Sequence, residues 1–236
     1  MKFWYGVLLH WRMNTRNKEF LIHYYIVPLL FYIFMGFVFT TIMPEARNTL
    51  IQSMIVFGIT MGGVLGTPNA VIEIFGSDCK RAYQIGNIPL WSVVLAIYVS
   101  SIIHLIIVSM IIFVSAPIVF GALIPVNLLA FFIGLLLVIG ASSGIGVVFG
   151  LYVHSISKVG MATQLVFLPS IILSGIMFPI SLLPDFLQWV SKWIPATLGY
   201  QIMISNRVAI MDVFLLIVLI GILVVMSNFK LKNSFE

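Results

Sequence analysis

The chain has 236 residues, of which 61% are hydrophobic and only 8% are charged. A soluble domain carries about 25% charged residues, so this composition excludes a surface that mostly faces water. Twelve Lys and Arg against seven Asp and Glu give a formal net charge of +5. Because the cations fall between apolar runs, they indicate orientation in a membrane rather than nucleic-acid binding. The single cysteine, Cys79, excludes a disulfide within the chain.

The first 19 residues predict an amphipathic helix that lies at the cytoplasmic membrane interface. Trp4 and Trp11 recur with other apolar residues at helical spacing, and the cations Arg12 and Arg16 follow at once. Aromatic rings beside such cations are typical of a helix that rests on anionic headgroups. We expect this helix to anchor the first span, and an additional contact with a cytoplasmic partner is the alternative.

Six further segments are apolar over the roughly 20 residues that a helix needs to cross a bilayer. Their approximate ranges are 20–43, 50–72, 90–114, 126–152, 160–178 and 208–229. The sequence therefore predicts an all-α membrane protein with six transmembrane helices, organised as one transmembrane domain over residues 1–236.

The loop cations predict the orientation of these spans. Nine Lys and Arg fall on one side of the predicted membrane and three fall on the other, and cytoplasmic loops are the cation-rich ones. Both termini are therefore predicted to lie in the cytoplasm. The three outer cations are Arg47, Lys192 and Arg207. High usage of Ile, Asn and Lys favours the plasma membrane of a bacterium.

Residues 73–89, between the second and third predicted spans, form the only substantial charged loop. Their aromatic and charged residues recur at helical spacing, which predicts a short amphipathic helix that docks on a cytoplasmic partner. Apolar side chains would enter a groove of that partner, and charges would fix the register. A solvated loop that only enforces topology is the alternative. The residues assigned to docking are Glu73, Phe75, Asp78, Lys80, Arg81, Tyr83 and Ile85.

Residues 179–207 interrupt the apolar pattern between the fifth and sixth predicted spans. Three prolines punctuate this segment, and prolines break long helices. Aromatic and polar residues alternate between them at helical spacing, which predicts a short amphipathic helix that lies at the outer interface or dips partway into the membrane. The residues assigned to an outer gate are Phe178, Pro179, Pro184, Trp189 and Trp193.

Few polar groups lie within the predicted spans. None of the spans has an Asp or Glu near its middle, which disfavours a proton- or ion-coupled carrier. His104 falls in the body of the third span, and we expect a neutral His that is hydrogen-bonded to a neighbouring helix, with a relay role as the alternative. Small residues at four-residue intervals predict close helix packing. These residues are Gly58, Gly62 and Gly66 in the second span and Gly140, Ser142, Gly144, Gly146 and Gly150 in the fourth.

The sequence contains no recognisable catalytic centre. It has no Gly-Lys pair, so the chain cannot bind ATP through a P-loop. Ser143-Gly144 resembles the serine motif of rhomboid-type intramembrane proteases, but the sixth predicted span has no His to act as a base. We therefore expect a membrane subunit without catalytic residues and without a bound cofactor or metal.

Three strings resemble elements of one membrane-protein family. KRAYQIGNIPLW, residues 80–91, has the charged cluster and the Pro that precede a third span. SGIMFPISLLPDFLQ, residues 174–188, is similar to a Phe-Pro stretch followed by Leu-Pro and an amphipathic helix. IPATLGY, residues 194–200, resembles a Pro-x-Thr-Tyr element, with Leu198 where Tyr is usual. Together with the layout of the spans, these strings resemble the membrane subunits of type-2 ABC transporters, the exporter permease family.

The resemblance implies a coupling helix within residues 73–89 and a helical hairpin at the outer face after the fifth span. It also implies two copies of a cytoplasmic ATP-binding subunit, which would bind the ATP and Mg, and a second permease subunit that is identical or a sister protein. We also expect the chain to contact membrane lipids and not to bind nucleic acid. The importer motif, EAA followed by Gly, is missing, so we expect export.

The apolar spans favour an amphiphilic substrate, such as a drug, a peptide or a lipid-linked molecule. Two other functions remain open at this point. One is a secondary carrier or channel that needs no motor. The other is a membrane protein that transports nothing, such as an assembly factor or an immunity protein.

Overall fold

The computed structural model describes residues 2–76, 79–153, 155–205 and 209–232, and all regular structure within these ranges is helical. Six helices are long and apolar enough to cross a membrane, which confirms an all-α membrane protein with six transmembrane helices. We number them spans 1 to 6 in chain order. Their bounds are Lys18–Ile42, Leu50–Phe75, Leu90–Phe120, Leu128–Tyr152, Ile156–Leu173 and Ile210–Lys232.

Shorter helices precede and connect the spans. We name four of them the N-terminal helix, the loop helix, the outer helix and the hairpin helix. Their bounds are, in that order, Lys2–Asn14, Cys79–Ile85, Asp185–Ser191 and Pro195–Ile204. Single 3-10 turns occur at Pro44–Asn48 and Ile180–Leu182. We call the side of the bundle that lies opposite the loop helix the outer side.

Glycines in the left-handed conformation mark the outer ends of spans 3 and 5. Span 3 continues past the range 90–114 to Phe120 and stops at Gly121, whose φ is 63°. Only a residue without a Cβ adopts this conformation at little cost, so it commonly ends a helix. Span 5 ends at Leu173, two residues before Gly175 at φ 85°. Phe178 therefore lies beyond the helix of span 5 rather than at its last position.

Span 2 lies at the centre of the bundle. Every residue from Leu50 to Thr60 is buried, and spans 1, 3, 4 and 5 and the hairpin helix all pack against this half of the span. A helix that is apolar all round is suited to such a position. Spans 1 and 6 bury a far smaller share of their apolar residues, as expected for helices whose other side faces lipid.

Small residues bring spans 2 and 4 into close contact, which confirms the packing predicted from their spacing. A Cβ placed on Gly63 would lie 2.7 Å from the Cβ of Ser142, and one placed on Gly146 would lie 2.8 Å from the Cβ of Thr67. Real side chains do not approach so closely, so only glycine fits at both positions. Gly144 faces span 6 instead, so the small residues of span 4 serve two neighbours.

Spans 1 and 2 contact each other through two π-helical stretches, Ile22–Ile26 and Met61–Gly66. The ring of Tyr24 in the first stretch lies against Gly66 in the second, where a Cβ would collide with it. It also lies close to Gly62, where a Cβ would collide with Leu105 of span 3. Such widened turns are rare and frequently mark functional sites. Here they bring an aromatic ring against the backbone of the central span.

Candidate functional site: the loop face and the outer hairpin

A short helix occurs between spans 2 and 3, where the sequence predicts one. Lys80, Arg81 and Tyr83 belong to this loop helix, and Glu73 and Phe75 belong to the last turn of span 2. The predicted docking residue Asp78 lies outside the described residues. The coupling role of this helix stays a prediction, but its position, at the base of the bundle on one side, is compatible with that role.

The side chains assigned to docking point in different directions. Phe75 and Tyr83 are half-buried and pack against an apolar cluster formed by the bases of spans 2, 3 and 4 and the end of span 6. Ile85, at the end of the same loop helix, is 85% exposed, and Arg81 is exposed as well. Of the three apolar anchors expected from the sequence, Tyr83 therefore packs the loop helix against the bundle, Phe75 packs at the end of span 2, and Ile85 is the one that faces outward.

Asn17 connects the start of span 1 to the end of span 2. Its side-chain Oδ1 accepts hydrogen bonds from the backbone amides of Glu19 at 2.9 Å and Phe20 at 3.3 Å, which caps the helix. Its Nδ2 donates a hydrogen bond of 2.7 Å to the Oε1 of Glu73. Glu73, which the sequence analysis assigned to docking, thus forms a hydrogen bond with the residue that caps the start of span 1.

Replacing Asn17 with Ala is expected to lower the free energy of unfolding by about 1–2 kcal/mol, because the change removes a helix cap and a hydrogen bond to a carboxylate. Thermal unfolding of the purified protein measures the effect. Asn48→Ala, at an exposed position on the outer side, is the matched control and should leave the unfolding temperature unchanged. Equal unfolding temperatures for the two variants would contradict the assigned role.

The N-terminal helix packs against span 3. Gly6 lies against Ala96, and the Nδ2 of Asn14 donates a 3.2 Å hydrogen bond to the hydroxyl of Ser100. Val7 and His10 are buried on the same face. Burial lowers the pKa of His10 because the charged imidazolium is poorly solvated there.

The two tryptophans of the N-terminal helix have different surroundings. Trp4 is 67% exposed, as expected for a residue that faces headgroups, and Arg12 and Arg16 are exposed too. Trp11 lies against the bundle instead, with its ring stacked on that of His104 at a centroid distance of 4.0 Å and an angle of 4°. Nothing in the sequence indicates this contact, because the partners are far apart in the chain.

His104 connects three elements. Its Nδ1 and the hydroxyl of Tyr25 form a hydrogen bond of 2.6 Å, which confirms the predicted bond to a neighbouring helix. Its Nε2 is buried and has no hydrogen-bond partner among the described residues. Next to it, the hydroxyl of Tyr24 lies 2.7 Å from that of Thr67 and donates a 2.9 Å hydrogen bond to Ser101. This cluster joins the N-terminal helix to spans 1, 2 and 3.

The outer helix and the hairpin helix form two arms of a hairpin that enters the bundle. In the hairpin helix, Gly199 contacts Val138 of span 4 so closely that no side chain would fit, and Met203 lies opposite Gly134. The lower-numbered end of span 4 is its outer end, so Gly134 lies nearer the outer side than Val138. The hairpin helix therefore begins deep, at Pro195, and runs toward the outer side. The residue pattern predicts a short helix that lies at the outer interface or dips partway into the membrane, and the family resemblance implies a hairpin. Neither indicates that the second arm is buried against span 4.

The residues assigned to the outer gate divide between two cavities. Phe178 and Pro179 line a cavity of about 690 Å³ beside the outer ends of spans 1 and 2. Trp189 and Trp193, whose ring centroids lie 6.4 Å apart, line a second cavity of about 610 Å³ beside span 6. Gln201 of the hairpin helix lines both cavities, so this helix forms the wall between them. Pro184 is exposed and directly precedes the outer helix.

A helical bundle with a short helix on its loop side and a re-entrant hairpin on its outer side fits a membrane transport subunit. The chain matches the family model for ABC-2 type transporters over residues 7–208. It therefore belongs to this family and is the multi-pass permease subunit of an ABC transporter. Subunits of this family are generally non-catalytic and typically work with an ATP-binding subunit. No curated protein matches the chain.

Proposed function

We propose that this permease subunit exports an amphiphilic substrate and is driven by two copies of a cytoplasmic ATP-binding subunit that dock on the loop helix. The observation that supports docking is the division of that helix into two faces. Tyr83 packs against the bases of the spans, whereas Ile85 is exposed at the end of the helix. A helix held by the bundle on one face can transmit a push on its other face into the spans.

A second permease subunit, identical or a sister protein, would pair with span 5. The exposed face of this span carries Met161, Leu165 and Leu168, and Gln164 is exposed near its middle. An amide has no hydrogen-bond partner in the hydrocarbon of a bilayer, so a lipid-facing Gln at this depth would be costly. This position of Gln164 favours a protein partner over lipid along the face of span 5.

The proposed orientation places the loop helix and both termini in the cytoplasm of a bacterium and the hairpin at the outer face of its plasma membrane. ATP and Mg would be bound by the partner subunit. Force from ATP-driven closure of that subunit would enter at residues 73–89 and tilt the spans. The two outer cavities, which the hairpin helix separates, lie where a gate toward the outside would be needed.

Replacing Ile85 with Asp is expected to lower the amount of ATPase that co-purifies with the tagged permease from its native host by about tenfold or more. The physical reason is that a buried anchor of an interface typically contributes 2 kcal/mol or more. The ratio of a P-loop ATPase to permease after affinity purification, and the ATPase rate of the reconstituted complex, measure the effect.

Ile124→Asp is the matched control, because Ile124 is exposed in the outer loop between spans 3 and 4. It should leave the ATPase ratio at the wild-type value. Cys79 is exposed beside the docking residues, so an impermeant maleimide should label it only after cell lysis. Labelling of Cys79 on intact cells, or full recovery of the ATPase with Ile85→Asp, would overturn the proposed docking.

A further inference from the structure

The cavity beside span 6, which we call the outer cavity, has a volume of about 610 Å³ and is lined by residues of opposite charge. Lys192 comes from the turn between the outer helix and the hairpin helix, and Asp212 comes from the first turn of span 6. Trp189 and Trp193 contribute two exposed aromatic rings to the same cavity. A cation, an anion and aromatic faces thus meet in one place.

The turn that carries Lys192 lies well below the outer end of span 4, and the Lys192 side chain is exposed at that level. Gly199 contacts Val138, which is ten residues into span 4 and hence about 15 Å from the outer end of that helix. The hairpin helix begins still deeper, at Pro195, and Lys192 precedes it. A cation at such a depth is costly unless its side chain reaches outward to an anionic group.

Thr197 supplies a second indication of a ligand. It lines the outer cavity and is 3% exposed, yet its hydroxyl oxygen has no hydrogen-bond partner among the described residues. The Nε2 of Gln188, which lines the same cavity, donates a 2.8 Å hydrogen bond to the carbonyl oxygen of Leu183. Buried hydroxyls are normally satisfied, so the position of Thr197 favours a bound polar group.

The geometry points to a binding site for the headgroup of a zwitterionic phospholipid in the outer cavity. The phosphate contacts the ammonium of Lys192 and accepts a hydrogen bond from Thr197. The lipid ammonium lies toward the carboxylate of Asp212 and the faces of the two tryptophans, which attract cations. The acyl chains extend along the apolar surface of span 6. This site needs neither the motor nor the transported substrate.

Native mass spectrometry of the full-length permease in detergent, titrated with dioleoyl phosphatidylethanolamine and dioleoyl phosphatidylglycerol, tests the assignment. Both lipids carry the phosphate, and only the first carries the ammonium. The wild type should bind the ethanolamine lipid several-fold more tightly. Lys192→Gln should lower the affinity for both lipids by about tenfold, which is the effect of losing one charge-assisted hydrogen bond. Asp212→Asn should lower the affinity for the ethanolamine lipid by a similar factor and leave the affinity for the glycerol lipid unchanged.

Lys158→Gln and Asp185→Asn are the matched controls, because both residues are exposed and neither lines the outer cavity. Both should retain wild-type affinities. Thr197→Val keeps the shape of the side chain. It should lower the affinity for both lipids several-fold without loss of folded protein. Equal affinity of the wild type for the two lipids would overturn the proposal, and so would wild-type selectivity in Asp212→Asn. Because no ATPase is present, either failure leaves the proposed docking of the motor untouched.

Discussion

Replacing Gly146 with Ala is expected to destabilise the permease by about 3 kcal/mol, the upper part of the range for an overpacked core. The added Cβ would collide with the carbonyl oxygen of Gly63 and would lie 2.8 Å from the Cβ of Thr67. A flexible side chain could rotate away, but a carbonyl oxygen moves only with its helix. Spans 2 and 4 would therefore have to separate along their whole contact.

The yield of monodisperse protein in mild detergent and the unfolding temperature measure the effect of Gly146→Ala. Gly221→Ala in span 6 is the matched control, since a Cβ there would meet nothing within 4 Å in the described part of the chain. This control also introduces alanine at the middle of a span and should behave as the wild type. Equal stability of the two variants would contradict the contact between spans 2 and 4.

Replacing His104 with Ala is expected to release the N-terminal helix from span 3. The change removes the stacking with Trp11 and the hydrogen bond to Tyr25, and it leaves a cavity. Together these losses amount to about 2–4 kcal/mol. Because span 3 is the main neighbour of the N-terminal helix, we expect most of this free energy to appear as weaker docking of the helix rather than as global unfolding.

A cysteine introduced at Val7 in a Cys79→Ser background reports on this release, because Val7 is buried when the helix is docked. His104→Ala should raise the rate of maleimide labelling at position 7 by at least tenfold. His23→Ala is the control, since within the described ranges the hydrogen bond of His23 is to the carbonyl oxygen of Glu19 in its own span, at 2.8 Å, and not to the N-terminal helix. An unchanged labelling rate in His104→Ala would contradict the role assigned to the stacked pair.

The sequence predicts the six spans because each is a long apolar run, and length and hydropathy suffice to recognise such a run. It cannot predict which residues on different spans meet. Asn17 and Glu73 form a hydrogen bond across a long separation in sequence, and nothing in either neighbourhood indicates the other. The small residues of span 4 predict close packing, but only the structure shows that Gly146 faces span 2 and Gly144 faces span 6.

Two contacts escape the sequence for a common physical reason. The sequence places His104 in the body of span 3, as the structure does, but it does not indicate that Trp11 of the N-terminal helix stacks on it there. It predicts that residues 179–207 lie at the outer interface or dip partway into the membrane, and it does not indicate that the hairpin helix packs along span 4. In both cases a short helix packs against a span at a depth that apolar composition does not reveal.

The burial of span 2 restricts where any permeating molecule can travel. A helix already fills the axis of this bundle, and Leu50 to Thr60 are in contact with neighbours on all sides. A pore through a single copy of the chain would require that helix to leave its place, at the cost of most of the packed interior. A conduit that forms and closes repeatedly is far less costly along the outside of the bundle, at a seam between two copies, where side chains need only slide apart.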